Sequence, residues 1–152
     1  NHDIVGTQLG GAMKNVIAIA CGFAKGKNLG ENAKAAIITR GISEIVKLGV
    51  NMGAKRKTFY GLSGIGDLPL TCSSLKSRNT KFGYDLAKGG KLVELKSNCI
   101  LEGVESCESI CKLGQKYEVD LPLCNSVKKL LSGTSAKLVI SNLLSRPLQF
   151  EN

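Results

Sequence analysis

From about residue 10 to residue 23, apolar residues occupy almost every position, including the run Val16 to Cys21 that resumes at Phe23. A segment apolar on nearly all faces predicts a central, buried helix. Gly22, Gly26 and Gly30 then interrupt the pattern around a basic Lys25-Gly26-Lys27 turn. Helical period returns over about 31–51, where Ile38, Ile42, Ile45 and Met52 form one stripe, with Ala35 and Leu48 beside it. Lys34, Ser43, Glu44 and Lys47 lie off that stripe. Glu31 complements the helix dipole at the start, and Gly53 suits the stop.

A glycine-rich loop, Gly61 to Gly66, leads to Asp67 and a short apolar stretch. Another helical pattern starts after Ser77-Arg78-Asn79 and ends near Gly89-Gly90. Residues 91–98 read as a surface connection. A long helix follows over about 101–117, with Val104, Cys107, Cys111 and Gly114 on one side. Asp120 is the expected cap of a helix running to Leu131, with Pro122 in its first turn. The last helix covers about 136–144 and stops before Arg146-Pro147. There is no β-α-β alternation and no internal repeat. The expectation is one all-α domain over residues 1–152, with six to eight helices.

The chain has 152 residues, 43% hydrophobic and 22% charged, which is enough to bury a core and too apolar for disorder. Its longest apolar run falls far short of the ~20 residues that cross a bilayer, so no membrane span is expected. Asn1-His2-Asp3 carries no basic segment of a signal peptide. The net charge of +9 would suit nucleic acid, an acidic surface or small anions. The lysines are spread along the chain, and its seven aromatic residues are not interleaved with a basic stretch, so no base-stacking platform is expected. Six cysteines are present, with Cys107 and Cys111 at helical i, i+4 spacing, but there is a single histidine. Buried free thiols in a reducing, cytoplasmic setting are expected, with no metal site.

Lys14 stands just before Val16 on the helix expected to be buried. Burial disfavours an ammonium and lowers its pKa; a helix start at Gly10-Gly11 would push the same way, whereas a start nearer Asp3 would leave burial as the only cause. Such a lysine can serve as a general base. It can equally be a lysine snorkelling at the edge of a core helix. Asn15 places an amide beside it, for a site or for structure. Asp67, after three glycines, could hold a lysine or a substrate hydroxyl, or cap a helix. Ser77-Arg78-Asn79 has the chemistry of an anion site: a helix start, a planar guanidinium and an amide donor. It could also be a capped, solvated helix start.

The segment Leu9-Gly-Gly-Ala-Met-Lys14-Asn15-Val-Ile-Ala-Ile-Ala20 resembles the hallmark of bacterial-type NAD(P)-dependent glycerol-3-phosphate dehydrogenases. So do Asn32 to Gly41, Gly64-Ile-Gly66-Asp67-Leu68, Thr71-Cys72, Ser77-Arg78-Asn79-x-x-Phe82-Gly83, Glu102-Gly103-Val104 and Ser145-Arg146-Pro147-Leu148. These occur in family order from about Val5 to Leu148. Met13 in place of a common leucine, and Pro69, depart from the usual pattern.

The resemblance implies the C-terminal helical domain of such an enzyme, like that of 6-phosphogluconate dehydrogenase-like proteins. It also implies an N-terminal Rossmann domain outside this chain that carries most of the NAD or NADP site. The implied reaction interconverts sn-glycerol 3-phosphate and dihydroxyacetone phosphate, supplying phospholipid synthesis. Lys14 matches the catalytic lysine. Asn15, Asp67, Thr71, Ser77, Arg78 and Asn79 match substrate-lining positions. Arg78, Ile100 and Glu102 match positions that contact the cofactor. Helical domains of this kind often pair, so a homodimer is also implied. Two other readings compete: a basic helical module for nucleic acid, resting on charge alone, and a helical interaction domain without chemistry. The isolated chain is expected not to transfer a hydride.

Overall fold

The computed structural model describes residues 3–61, 68–97 and 101–145. Residues 62–67, from the glycine-rich loop through Asp67, together with Cys99, Ile100 and Arg146 to Leu148, lie outside them.

Asp3 starts the central helix α1 (Ile4–Gly26) by accepting a hydrogen bond from the Gly6 amide at 3.0 Å. The same carboxylate accepts from Thr58 Oγ1 at 2.6 Å and from the Lys55 amide at 2.7 Å, at the start of α3 (Arg56–Phe59). The Thr58, Gly6 and Lys55 donors hold the Asp3 carboxyl below its ordinary value. The helix therefore begins six residues before the start read from the pattern. Gly6, Gly10 and Gly11 are weak helix formers, but the cap and the burial of Gly6 and Leu9 outweigh that propensity. Lys14 consequently lies about three turns into the helix, beyond the first turn in which the dipole acts.

Val16, Ala18 and Ile19 of α1 are completely buried, and Ile17, Cys21 and Phe23 nearly so. Around them pack α2 (Glu31–Asn51), α4 (Leu68–Ser73), α5 (Arg78–Ala87) and α7 (Glu102–Lys116). By length and composition α1 could cross a membrane, but its apolar stretch is covered by these neighbouring helices. Where α1 meets α5, a Cβ on Gly22 would run into the Thr80 carbonyl oxygen, and one on Gly83 into that of Ile19. The two backbones touch, and only glycine allows it.

Helix α2 has the expected bounds, and Gly53 takes the positive φ of a helix stop. Its buried face is turned from the predicted stripe. Ala33, Ile37, Gly41, Glu44, Ile45 and Leu48 face inward, while Ile38, Ile42 and Met52 are half-buried and Ala35 is exposed. The pattern misled because Gly41 is a contact residue, seated against the Ile17 side chain.

Glu44 is the larger surprise, at 4% exposure. It accepts from the Leu123 amide and, at 3.2 Å, from the Cys124 amide at the start of α8 (Pro122–Leu131). Asp120, the expected cap, does not fill that role. Leu121 is the N-cap, with no side-chain cap bond of its own, and Pro122 takes the first turn as expected. A carboxylate from another helix satisfies the free amides instead. Burial pushes the Glu44 carboxyl up to about 7 against the pull of the Leu123 and Cys124 amides, with Asp120 adding to the rise.

Helix α7 has the expected extent, and α9 (Ala136–Ser145) ends within a residue of it. Val139 of α9 packs with Phe23, Ala87 and Leu130 in a small second core. Residues 91–98 contain a short helix, α6 (Leu92–Ser97), where a connection was expected. With the short α3, α4 and α6, the described residues form nine helices and no strand. The result is an all-α domain. Cys21, Cys72, Cys107, Cys111 and Cys124 are buried free thiols.

Glu44 makes stability depend on pH with a definite sign. A carboxyl raised from 4.5 to about 7 binds its proton more tightly when folded, so its contribution is full below pH 4.5 and is lost as pH rises through 7. Relative to Glu44→Gln, the wild-type chain should lose on the order of 3 kcal/mol across that window, read by urea unfolding at each pH. Parallel pH profiles for the two proteins would contradict this.

Candidate active site where the first helix meets the fourth, fifth and seventh

Lys14 is half-buried and lines two recesses. On one side an open cleft of about 520 Å³ runs between α1 and α7, lined by Thr7, Gln8, Gly11, Lys14, Asn15, Glu102, Glu105 and Ser106 among others. On the other a small apolar recess is lined by Met13, Lys14, Ile17, Ile45, Phe59 and Leu68. Leu68 is the first residue of α4 and directly follows Asp67. The sequence thus brings Lys14 beside the point where the Asp67 loop ends, although Asp67 itself is outside the described residues.

Asn15 Nδ2 donates to Glu102 Oε2 at 3.2 Å. One residue further on, the Gly103 amide donates to Asn79 Oδ1 at 3.2 Å. A Cβ on Gly103 would press on Asn79 Oδ1 and on the Asn15 carbonyl, so this corner is close-packed. These bonds orient both amides. Asn79 must turn its oxygen to an N–H, which leaves its NH2 to donate. Asn15 must turn its NH2 to a carboxylate, which leaves its oxygen to accept. Helix α7 starts at an N-cap, Leu101, without a side-chain cap bond, so Asn79 caps it from α5.

Ser77 is the N-cap of α5 and accepts from the Thr80 amide at 3.4 Å. One of the free amides expected at this helix start is thus taken by the serine, and the Arg78 and Asn79 amides remain at its tip. Arg78 is exposed in the first turn. Thr71 is half-buried on α4, and its carbonyl accepts from Thr80 Oγ1 at 2.8 Å. Pro69 lies in the first turn of α4, where proline removes no helix bond. Cys72, next to Thr71, has its thiol held below the ordinary value by the hydrogen bond from Cys21, against burial, with the charges of Lys34 and Lys14 adding to the effect. The charge of Lys14 thus reaches α4.

Among the predicted site residues, Lys14, Asn15 and Glu102 share the open cleft, Asn79 joins them through Gly103, and Thr71 and Ser77 meet at Thr80. Ile100, like Asp67, lies outside the described residues. The residue-based reading passed over Thr7, Gln8, Gly11, Glu105, Ser106 and Thr80. The spacing signal existed: Gly11 is three before Lys14, and Glu105 and Ser106 are three and four after Glu102, on the same helix faces.

The fold defines an all-α domain built around one buried helix, with a polar cleft along that helix. The chain belongs to the family described as NAD-dependent glycerol-3-phosphate dehydrogenase C-terminus, whose profile matches residues 3–140. It is 49% identical over 148 residues to the glycerol-3-phosphate dehydrogenase (NAD(P)+) 2 of Mycobacterium tuberculosis, covering 96% of this chain and 44% of that protein. It is 43% identical over 154 residues to the enzyme of Legionella pneumophila strain Paris, covering 99% and 47%. The crystal structure of glycerol-3-phosphate dehydrogenase from Coxiella burnetii superposes with a TM-score of 0.90 at 38% identity, covering 96% of this chain and 46% of that one. The chain spans about half the length of the curated relatives it matches.

Because Asn79 caps α7 from outside, Asn79→Ala should destabilise the chain by about 1 kcal/mol in the absence of any ligand, the usual cost of losing an N-cap. Urea unfolding measures it. An unchanged midpoint would mean that the bond to Gly103 contributes nothing.

Proposed function

We propose that the protein interconverts sn-glycerol 3-phosphate and dihydroxyacetone phosphate with NAD or NADP, and that this chain is its substrate-binding, proton-transferring half. A separate nucleotide-binding half holds most of the cofactor, a view supported by relatives about twice as long and by a described fold without strands. The observation that carries the reading is the order of polar groups from the cleft to the start of α5. Beyond the cleft, joined to it through the bond from the Gly103 amide to Asn79, Arg78, the Asn79 NH2 and the tip of α5 offer donors to a phosphate. In the cleft itself, Lys14 and the side-chain oxygen of Asn15 are placed to meet a hydroxyl.

In this reading Lys14 removes the C2 hydroxyl proton during oxidation and returns it during reduction. Asn15 accepts from a substrate hydroxyl, and Thr71 and Asp67 line the same end. Glu102 orients Asn15 and, with Ile100 and Arg78, faces the cofactor. The nicotinamide, when bound, takes or gives the hydride at C2. Without the nucleotide-binding half the chain is inactive. A cytoplasmic homodimer that supplies glycerol 3-phosphate for phospholipids completes the reading, and the free thiols suit such a reducing compartment.

In the full-length enzyme, Lys14→Ala should lower kcat by about 10²–10⁴-fold, the usual worth of a general base, with cofactor binding retained. Normal turnover would end the assignment. Arg78→Ala should raise KM for glycerol 3-phosphate by about 10–100-fold and leave turnover of unphosphorylated glycerol unchanged. Equal losses on both substrates would place Arg78 away from the phosphate.

A further inference from the structure

We infer that Thr80 is a positioning residue, whose hydroxyl ties α4, and with it Thr71, to the start of α5. The inference rests on the proposed reaction for its effect on turnover, though not for the tie itself.

Helix α4 is six residues long, so its last carbonyls have no partner within the helix. Two of them are met from outside: the Thr71 carbonyl by Thr80 Oγ1 at 2.8 Å, and the Ser73 carbonyl by Lys25 Nζ at 3.5 Å. Lys34 Nζ contacts the Ser73 hydroxyl. Burial of Leu68 and Cys72 presses the helix onto the core, but that force has no direction along the surface. A hydrogen bond has direction. The Lys25 and Lys34 ties come from long side chains and grip the far end. The Thr80 tie is the one made to a residue proposed to line the substrate.

Thr80 is itself held on several sides. It is completely buried, its amide donates to Ser77 Oγ at 3.4 Å, and its carbonyl lies where Gly22 admits it against α1. Its hydroxyl therefore transmits the position of α1 to α4. It touches neither cleft and serves no other partner among the described residues, and no residue-based reading singled it out. A displaced Thr71 would leave substrate bound out of line with Lys14, and small misplacements of this kind cost turnover.

The test uses the full-length enzyme with Thr80→Val, which keeps the shape and removes the donor, and Thr80→Ser, which keeps the donor. Thr80→Ala serves as a second donor-less variant in case valine does not fold. Expected for valine and alanine is a loss of about ten-fold or more in kcat/KM for glycerol 3-phosphate, with KM for the nucleotide within two-fold. Amide exchange across residues 68–73 should quicken by about five-fold or more. Serine should restore both. Exchange unchanged in 68–73, or serine failing as valine does, overturns the inference. A wild-type enzyme inactive on glycerol 3-phosphate would instead overturn the proposed reaction, and the exchange measurement would then decide the Thr80 tie by itself.

Discussion

Helices α1 and α5 cross with backbone against backbone, Gly22 under the Thr80 carbonyl and Gly83 under that of Ile19. Side chains at such a crossing can repack, but main-chain atoms have little room to do so. The contact therefore fixes α5 on α1 in both height and rotation. Lys14 is eight residues upstream of Gly22, about 12 Å along the same rigid helix. Ser77 and Asn79 stand just before Thr80 at the start of the other helix. The distance between Lys14 and the start of α5 is set by this one crossing.

From that crossing the remaining elements are reached by single polar ties. Thr80 holds α4, Asn79 holds the start of α7, and Asn15 reaches the first residue of α7 through Glu102. The Asn79 and Asn15 ties each engage one half of a side-chain amide and set which half points away from the tie. Asn79 is left as a donor and Asn15 as an acceptor.

The sequence-level reading succeeded where a signal is local. The extents of α2 and α7, the stop at Gly53 and the start of α5 at Ser77 all follow from period, caps and glycines in the segment itself. It failed where a partner is remote. Both α7 and α8 begin at a leucine with no side-chain cap bond, and their caps come from Asn79 and Glu44 on other helices. Nothing around Asp120 or Leu101 announces that. Glu44 read only as a residue off the apolar stripe, because period alone cannot distinguish a solvated carboxylate from one that faces a distant helix start. The glycines after Asp3 left the start of the first helix open between Gly10 and a point nearer Asp3, and the Asp3 cap places it at the earlier one. As for the site, Lys14, Asn15 and the Ser77 segment were visible as odd residues at odd places, yet their purpose needed the ordered family resemblance. Thr80 carries no sequence signal beyond its place three residues after a capping serine.

If the crossing governs the site, it must also govern stability, because no repacking can admit a methyl group there. Thermal and urea unfolding of Gly22→Ala measures this most directly. Alanine is a better helix former by about 1 kcal/mol, so propensity alone predicts a gain. The backbone contact predicts a loss of about 3 kcal/mol or more, at the upper end of overpacking costs. A variant as stable as the wild-type chain, or more so, would contradict the account.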